Sequence, residues 1–416
     1  MKLSRTGVVA AMWGLAAFLA GCVFDEPEPG VTADKIILGS VLALQGPAEG
    51  LGQGMRDGLL AALRGRTVKG REIEIRFLDD SYQPAKAVES TNRLLQDKRG
   101  IFLMVGNVGT PTAQATLPLL REHNIPAVGF FTGADLLRPG DGGPILNYRA
   151  SYEQEVAAVV DAAIQRGVRV DEICAYVQND AYGMAGIKGV RKALLRHDAP
   201  QTLIALYDQV IDRGGEDPVR NNIGPIGVYR RNTTEIEPGY QSLKHWEQRS
   251  GHSCRLVVTV GAYENIAHFI RYARKSEDWL ISAVSFTGAD NLRDDLVRYG
   301  ISEGVLMTQV VPPLDSNLPI VVEARRALGA NFGYVSLEGY IVGRMLLRLL
   351  EDMPGELTRE NFMAHARQAR FDLGGLEIDF ARDGNQASQL VNVNVLERGN
   401  WVSVDRDFWD ARLAQR

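Results

Sequence analysis

Short apolar runs alternate with stretches of helical periodicity along most of the chain. Between the runs, apolar residues recur at spacings of three and four, as at Met55, Leu59 and Leu63, which predicts amphipathic helices. The runs are apolar at nearly every position, as expected of parallel strands that are covered on both faces. The predicted strands are residues 36–42, 73–78, 101–105, 127–130, 173–177, 256–260, 280–286 and 305–310. The alternation therefore predicts an α/β fold with parallel sheets.

The number of strand–helix units indicates how many sheets there are. About four units precede residues 147–150 and about as many follow, which fits two sheets of ordinary domain size better than one. A closed (β/α)8 barrel is disfavoured, because residues 312–371 interrupt the alternation with helical and irregular sequence. The sequence therefore predicts two doubly wound, Rossmann-like lobes.

The first 21 residues have the layout of a secretory signal. Lys2 and Arg5 precede an apolar run over residues 8–19, and Ala20-Gly21-Cys22 follows. The apolar run is too short to span a membrane, and the small residues form a cleavage site. The cysteine at the cut resembles that of a bacterial lipoprotein signal, which implies a lipid on Cys22. The alternative is an ordinary signal with a chance cysteine.

The segment that follows the signal is read as a tether. Residues 22–33 are acidic and contain two prolines, which favour an extended chain. We expect the body of the protein in the periplasm or cell envelope, held at a membrane by lipid. Both the inner and the outer membrane remain possible.

Composition narrows the class of function. The chain has 416 residues, 23% of them charged, a formal net charge of -5 and scattered basic residues, which argues against a nucleic-acid partner. The six histidines are dispersed, and the sequence has no Gly-x-Ser-x-Gly, His-Glu-x-x-His or metal-spaced Cys/His cluster. We therefore expect a protein that is not an enzyme and uses no metal or cofactor.

Two cysteines remain after Cys22. Cys174 lies in the predicted strand 173–177, and Cys254 lies just before the strand 256–260. An oxidising compartment permits a disulfide between them. Two buried thiols are the alternative, and the sequence leaves both open.

Small, hydroxyl and amide residues follow six of the predicted strands. In open parallel sheets ligands bind beyond the carboxyl ends of the strands, so these loops predict a pocket for a small polar ligand. In the loop after 101–105, Thr110 followed by Pro111 reads as the N-cap of a helix. The unpaired N–H groups of Thr112 and Ala113 would then form an anion site.

Several short stretches occur in a characteristic order: Gln45-Gly46-Pro47, Asp79-Asp80 followed by Pro84-Ala85-Lys86, Val105-Gly106-Asn107, Asp180-Ala181-Tyr182-Gly183 and Gly374-Gly375-Leu376. Their order resembles that in type 1 periplasmic binding proteins of the leucine/isoleucine/valine-binding family. The resemblance runs from about Asp34 to Trp401 and implies two lobes, three crossovers and a ligand cleft. It implies crossovers near 147–150, 310–313 and 374–376, lobe 1 at 34–148 plus 311–375, and lobe 2 at 149–310 plus 376–416.

The resemblance also implies roles for residues on the loops. Thr110 and the backbone near Asn107 would hold a carboxylate or an equivalent polar group, and Tyr182 would close over the ligand from lobe 2. Leu51 falls where the family can place a ligand-facing aromatic residue. The full set of candidate ligand-binding residues is Gln45, Leu51, Asn107, Thr110, Thr112, Thr132, Gly133, Tyr182, Ala262, Tyr263, Thr287 and Asp290.

One position departs from the family's amino-acid binders. There, an acidic residue after the strand 280–286 pairs with the ligand's ammonium, but here the position holds Thr287, with Asp290 three residues on and Glu264 as a further substitute. Burying an ammonium without a counter-charge is costly. Branched-chain amino acids, other amino acids, and non-amino organic acids or amides all remain open as ligands.

The function implied by the resemblance is solute capture. The ligand would bridge both lobes, close the hinge between them and be delivered to the permease subunits of an ABC transporter. The alternative is a lipoprotein that uses the same fold as a ligand sensor or as a protein-binding regulator in the envelope.

Overall fold

The computed structural model describes residues 28–139, 143–214 and 220–413. The predicted signal and the lipidation site Cys22 lie outside the described residues. Within the described ranges, no helix combines the length and the apolar character that crossing a bilayer requires.

The first lobe is built on a six-stranded sheet with strand order β2-β3-β1-β4-β5-β6. All of its strands are parallel except β2, which pairs antiparallel with β3. Its elements up to the first crossover are β1 (Lys35–Leu42), α1 (Glu49–Leu63), β2 (Thr67–Val68), β3 (Arg71–Asp79), α2 (Pro84–Leu95), β4 (Leu103–Val105), α3 (Thr110–Glu122), β5 (Ala127–Val128) and β6 (Ile145–Leu146).

The chain then enters the second lobe. This part comprises α4 (Tyr152–Ile164), β7 (Ile173–Gln178), α5 (Ala181–Arg196), α6 (Gln201–Asp212), β8 (Ile226–Tyr229), α7 (Glu237–Ser250), β9 (Leu256–Val260), α8 (Tyr263–Ala273), β10 (Leu280–Ala283), α9 (Ala289–Arg298) and β11 (Val305–Gln309). Every residue of β7, β9 and β11 is buried, as the continuous apolar runs predict.

The last hundred residues return to the first lobe and then complete the second. They form α10 (Pro319–Leu328), α11 (Tyr334–Asp352), α12 (Arg359–Ala366), β12 (Arg370–Asp372), β13 (Glu377–Asp379), α13 (Phe380–Asp383), β14 (Asn392–Glu397), β15 (Asn400–Ser403) and α14 (Arg406–Leu413). Strands β14 and β15 add an antiparallel edge to the second sheet, whose order is β15-β14-β11-β10-β9-β7-β8.

Helices α1 and α11 pack closely against each other in the first lobe. A Cβ added at Gly58 would lie 2.2 Å from the Ser336 carbonyl oxygen, and one at Gly339 would lie 2.6 Å from that of Met55. Glycines at these positions therefore let the two helix backbones touch. Helix α11 is buried along most of its length, and it forms much of the helical sequence that interrupts the alternation over residues 312–371.

Three segments join the lobes, and they are hydrogen-bonded to one another. Tyr148, in the first crossover, donates its hydroxyl to the Val310 carbonyl in the second at 3.0 Å. In the third, Ala387 and Ser388 donate their N–H groups to the carbonyls of Asn147 and Tyr148, both at 2.9 Å. The hinge is thus one connected unit.

The predicted α/β fold of two doubly wound lobes is confirmed, with differences in detail. The third crossover was expected at 374–376, but Gly374 and Gly375 form the turn between β12 and β13, and the chain reaches the second sheet only at Asn392. The predicted strand 280–286 ends at Ala283, because Ser285–Thr287 forms a 3-10 turn.

The two cysteines of the second lobe form a disulfide. Cys174 and Cys254 lie at the amino ends of the neighbouring strands β7 and β9, with their Cα atoms 5.8 Å apart. Because these parallel strands are adjacent in the sheet, the distance suits a bridge.

Candidate functional site

The carboxyl ends of both sheets face each other across the cleft between the lobes. Gln178 Nε2, at the end of β7, donates to the Tyr82 hydroxyl of lobe 1 at 3.2 Å. On the other side, the Gly50 N–H of lobe 1 donates to the Tyr263 hydroxyl of lobe 2 at 3.4 Å. The loops that the sequence singles out therefore meet in one closed, buried interface.

Hydroxyl groups gather at the amino end of α3. The Oγ1 atoms of Thr110 and Thr132 lie 2.6 Å apart, and the Tyr152 hydroxyl donates to Thr132 at 3.3 Å. All three side chains are buried. Since a helix amino terminus favours acceptors and negative charge, this group suits a carboxylate or carbonyl.

The start of α3 differs from the prediction. Gly109, not Thr110, is the N-cap residue, and no side chain caps the helix. The Ala113 N–H bonds to the Gly109 carbonyl at 3.1 Å and is not available to a ligand. Because Thr110 does not cap, its hydroxyl remains directed at Thr132.

Two buried hydroxyls come from the second lobe. Asp180 Oδ1 accepts from the Tyr182 N–H at 3.0 Å, which fixes the first turn of α5 and places the Tyr182 ring in the interface. Burial raises the pKa of Tyr182, partly offset by its neighbour Thr287, but no hydrogen bond of ordinary geometry joins the two. A buried polar atom without a partner costs about 1–3 kcal/mol, so these two neighbouring hydroxyls have unused capacity for hydrogen bonds.

Five aromatic rings surround these hydroxyls. Phe286, on the turn after β10, has its ring centroid 4.6 Å from that of Tyr182, 5.2 Å from that of Phe131 and 6.0 Å from that of Tyr82. The rings of Tyr152 and Tyr182 are 5.2 Å apart. Phe286 of lobe 2 thus packs against Tyr82 and Phe131 of lobe 1, and these rings make one side of the interface apolar.

A guanidinium is buried beside the rings. Arg149, from the first crossover, has Cζ 4.6 Å from the Phe131 centroid and donates to Ser285 Oγ on the turn that carries Phe286. Its Nε is 3.4 Å from Glu338 Oε1 of α11, and its Nη2 is 3.9 Å from Glu155 Oε1 of α4. One guanidinium therefore faces two carboxylates, one from each lobe.

The two carboxylates differ in their surroundings. Glu155 accepts hydrogen bonds from the Ser285 N–H, the Ser285 hydroxyl and the Thr308 hydroxyl. Burial raises the pKa of Glu338 to about 7, against the opposing effect of Arg149. Nε and Nη1 of Arg149 are buried and make no hydrogen bond with the part of the chain that is described.

A strained turn directs Tyr82 into the cleft. Ser81 and Tyr82 have φ angles of 48° and 56°, a left-handed conformation that is rare for an aromatic residue. Asp79 Oδ2 accepts from the Ser81 hydroxyl at 2.7 Å, and Asp80 Oδ1 accepts from the Tyr82 N–H at 2.8 Å. The two carboxylates thus hold a conformation that costs about 1–3 kcal/mol.

Comparison with known proteins identifies the family. A family model described as periplasmic binding protein matches residues 35–209. A possible leucine/isoleucine/valine-binding protein from Rhodopirellula baltica SH 1 superposes with a TM-score of 0.78 at 34% identity, covering 94% of this chain and 100% of that one. The chain belongs to the leucine/isoleucine/valine-binding family of type 1 periplasmic binding proteins. Its location is therefore extracytoplasmic.

More distant structures share the fold of this periplasmic binding protein. A substrate-binding periplasmic protein from Ralstonia solanacearum matches with a TM-score of 0.72 at 20% identity, over 89% of this chain and 99% of that one. An ABC transporter solute-binding protein from R. palustris, in complex with 4-hydroxybenzoate, matches with 0.69 at 17% identity, over 89% and 96%. No curated protein sequence matches the chain significantly.

In this periplasmic binding protein several of the predicted site residues meet at the cleft. Thr110, Thr132, Tyr182 and Thr287 form the buried hydroxyl groups described above. The other predicted residues at the cleft are Gly133, whose carbonyl accepts from the Tyr152 N–H at 2.9 Å, Leu51, which lies against Gly288, and Ala262 and Tyr263 at the rim.

Four predicted residues do not join the buried hydroxyl groups. Gln45 is exposed, Asn107 Oδ1 accepts from the Val41 N–H at 3.3 Å, and the Thr112 hydroxyl bonds to the Val108 carbonyl at 2.8 Å. Asp290 Oδ2 accepts from the Tyr334 N–H at 2.7 Å, at the amino end of α11 in lobe 1. Asp290 is therefore a contact between the lobes, and its carboxylate is directed at a helix terminus.

The sequence did not single out Tyr82, Arg149, Tyr152 or Phe286. Tyr152 carries a local signal, because Ser151 and Gln154 form a capping box and so mark the first residue of α4. Arg149 carries none, since a lone arginine after an apolar run is usually exposed.

A groove of about 510 Å³ opens at the hinge side of the cleft, next to Gly133 and Tyr152. Three of the basic side chains that line it are paired with carboxylates: Lys188 with Asp135 at 2.8 Å, Lys192 with Glu153 at 2.5 Å and Arg191 with Asp208 at 2.5 Å. The fourth, Arg138, donates to Gln386 Oε1 at 2.7 Å. The Lys188–Asp135 pair joins the two lobes. We therefore interpret this groove as the rim of the cleft.

Proposed function

We propose that this protein is the solute-binding lipoprotein of an ABC transporter, anchored through Cys22. It captures a small polar molecule, which is an amino acid, an amide or an organic acid, and delivers it to the permease subunits. The observation that carries the proposal is the convergence of buried hydroxyls from both lobes, Thr110 and Thr132 on one side and Tyr182 and Thr287 on the other. A ligand that contacts both lobes binds the closed form best and so drives closure.

The surroundings of the hydroxyls support a ligand with one polar end and an apolar body. Thr110 and Thr132 lie at the amino end of α3, where the helix dipole favours an acceptor. The rings of Phe131, Tyr182 and Phe286 provide apolar contact area. Solute binding in this arrangement requires no covalent chemistry.

One observation favours a second candidate function. Phe286 of lobe 2 packs directly against Tyr82 and Phe131 of lobe 1, so side chains of the chain itself hold the lobes together. In a ligand sensor or protein-binding regulator in the envelope, such contacts between the lobes would stabilise the closed form. The two candidates differ in whether a free small molecule stabilises the protein.

The test is a thermal-shift screen of the chain from Val23 onward against amino acids, amides, and aromatic and aliphatic acids. A solute-binding protein is stabilised by its ligand through mass action, so one class of compound should raise the melting temperature. Thr110→Ala and Tyr182→Phe should each reduce the rise. Matched controls are Thr116→Ala, whose hydroxyl bonds within α3, and Tyr207→Phe, whose hydroxyl bonds within lobe 2. No stabilisation by any compound would contradict solute capture and favour the regulator.

A further inference from the structure

Phe286 of lobe 2 contacts two rings of lobe 1. Its ring centroid is 5.2 Å from that of Phe131 and 6.0 Å from that of Tyr82, and its side chain is fully buried. Centroid separations of this size are those of rings in direct contact. The three rings therefore fill the space between them while the lobes are closed, and a ligand cannot extend between Phe286 and either of the other two.

Both lobe 1 rings adjoin the amino end of α3. A Cβ added at Gly109, the N-cap residue, would lie 2.5 Å from Tyr82 Cε2, and the Gly109 N–H bonds to the Phe131 carbonyl at 3.3 Å. Thr110, whose hydroxyl is proposed to hold the polar end of the ligand, follows Gly109 directly. Phe286 therefore packs against the part of lobe 1 that carries the proposed ligand site.

The turn that carries Phe286 is held at both ends. At its start, Glu155 accepts from the Ser285 N–H at 2.7 Å and from the Ser285 hydroxyl at 2.9 Å. At its end, a Cβ added at Gly288 would lie 2.6 Å from Leu51 Cδ2 of lobe 1. The turn thus lies between an anchor in its own lobe and a side chain of the other lobe, so it cannot withdraw from the cleft while the lobes are closed.

Unused hydrogen-bonding capacity lies next to Phe286. Thr287 is the following residue on the turn, and the Tyr182 ring centroid is 4.6 Å from that of Phe286. The hydroxyls of Thr287 and Tyr182 are buried and make no hydrogen bond of ordinary geometry within the described part of the chain. A polar group of the solute can satisfy them, but the fixed ring of Phe286 limits the room for an apolar body beside that group.

We propose that Phe286 sets an upper limit on the size of the solute. The solute is then a short-chain acid, amide or amino acid, of the size of propanoate, propanamide or alanine, and a branched or aromatic body is excluded by collision with the ring. Exclusion of this kind gives specificity without any added attraction for the correct ligand. The proposal rests on the solute-binding function and names the size class of the solute.

Three series of probes test the size limit by calorimetric titration of the chain from Val23 onward. The acids are propanoate, 4-methylpentanoate and 3-phenylpropanoate, the amides are the corresponding propanamide, 4-methylpentanamide and 3-phenylpropanamide, and the amino acids are alanine, leucine and phenylalanine. In the series that the protein binds, the first member should bind about tenfold tighter than the other two. A difference of one methylene group in a fitted pocket is already sufficient for an effect of about this size.

Phe286→Ala should change the affinities within a series in opposite directions. The branched and aromatic members should bind about tenfold tighter than they bind the unaltered chain, because removal of the ring makes room for them. The short member should bind more weakly, because the contacts of Phe286 with lobe 1 that stabilise the closed form are lost. General destabilisation of the fold would weaken the binding of every member and cannot produce this pattern.

Two further variants complete the comparison. Phe286→Leu keeps an apolar side chain and should give smaller changes in the same directions. The matched control is Phe269→Leu, because the Phe269 ring is also fully buried but packs within lobe 2, with its centroid 3.8 Å from that of Tyr176. This control should leave the order of the three members unchanged.

The outcomes separate the size limit from the function on which it rests. Tightest binding of a branched or aromatic compound by the unaltered chain, in these series or in the wider screen, would overturn the size limit and leave solute capture intact. An order that stays the same in both Phe286 variants would overturn the role of Phe286. Where Phe286→Ala fails to fold, Phe286→Leu and the order on the unaltered chain decide. No binding by these probes or by the wider screen would overturn both proposals.

Discussion

The hydroxyl of Tyr82 accepts a hydrogen bond from Gln178 Nε2 across the two lobes, at 3.2 Å. Gln178 is itself oriented from lobe 2, because its Oε1 accepts from the Tyr229 hydroxyl at 3.3 Å. The strained turn at residues 81–82 thus holds a lobe 1 ring against an oriented lobe 2 amide. This bond exists only when the lobes are closed.

Loss of the Tyr82 hydroxyl should lower the population of the closed form. Cysteines introduced as Gly50→Cys and Asn291→Cys would report closure by disulfide formation, since a Cβ at Gly50 would lie within 2.7 Å of Asn291 Cγ. Tyr82→Phe should slow this cross-linking about fivefold, the effect of one buried hydrogen bond. Tyr207→Phe, whose hydroxyl bonds to the Ile173 carbonyl within lobe 2, should leave the rate unchanged. Equal rates in the two variants would contradict the role of Tyr82.

Removing the disulfide should destabilise the second lobe. Cys174 and Cys254 are separated by 80 residues, and loss of a bridge that closes so long a loop costs about 2–5 kcal/mol. Cys174→Ala with Cys254→Ala should therefore unfold at a lower urea concentration than the unaltered chain. A reducing agent should lower the midpoint of the unaltered chain and leave that of the double variant where it is. A double variant as stable as the oxidised chain would contradict the prediction.

Gly109 should tolerate no side chain. Its φ is +113°, and a Cβ there would lie 2.5 Å from Tyr82 Cε2 and 2.7 Å from Thr112 Oγ1. Gly109→Ala should therefore cost about 3 kcal/mol or more, measured by urea unfolding, and should also weaken ligand binding. Gly65→Ala is the matched control, because Gly65 has a φ of +70° with nothing within 4 Å of the added Cβ. A similar loss in both variants would show that backbone strain alone is responsible.

Stability should fall as the pH rises from about 5 to 8. Burial raises the pKa of Asp80 to about 7 and that of Glu338 to about 7, so the folded protein binds protons there more tightly than the unfolded chain. Unfolding then releases protons, and the free energy of unfolding decreases with pH up to about pH 7. Asp80→Asn and Glu338→Gln should each flatten the melting temperature between pH 5 and 8. The exposed Asp34→Asn should not, and an unchanged slope in both buried variants would contradict the assignment.

The sequence predicted the fold well where each strand has its own signal. Strands β7, β9 and β11 are buried on both faces, so most of their positions are apolar and the run can be recognised without knowing the neighbouring strand. Strands β5 and β6 have two residues each, and β14 and β15 pair only with the sheet edge. These strands form because they pair with neighbouring strands, so their own residues show no clear apolar pattern from which to predict them.

The candidate site was predictable only from the residues that lie on strand-end loops. Thr110, Thr132, Tyr182 and Thr287 follow strands directly, so topology brings them together. Arg149 comes from a crossover, and its burial depends on Glu338, nearly two hundred residues away in the chain. Asp290 also follows a strand and was therefore a candidate, but its carboxylate accepts from the amino end of a helix in the other lobe.

The three crossovers have a mechanical consequence. Tyr148 bonds to Val310 through its side chain and to Ser388 through its carbonyl, so the three connecting segments are fastened at one point. Segments fastened in this way resist sliding and separation, which leaves rotation about a single axis as the motion open to the lobes. Under the proposed function, capture of a solute would rotate the lobes about this axis, and any surface formed by both lobes would then differ between the filled and the empty protein.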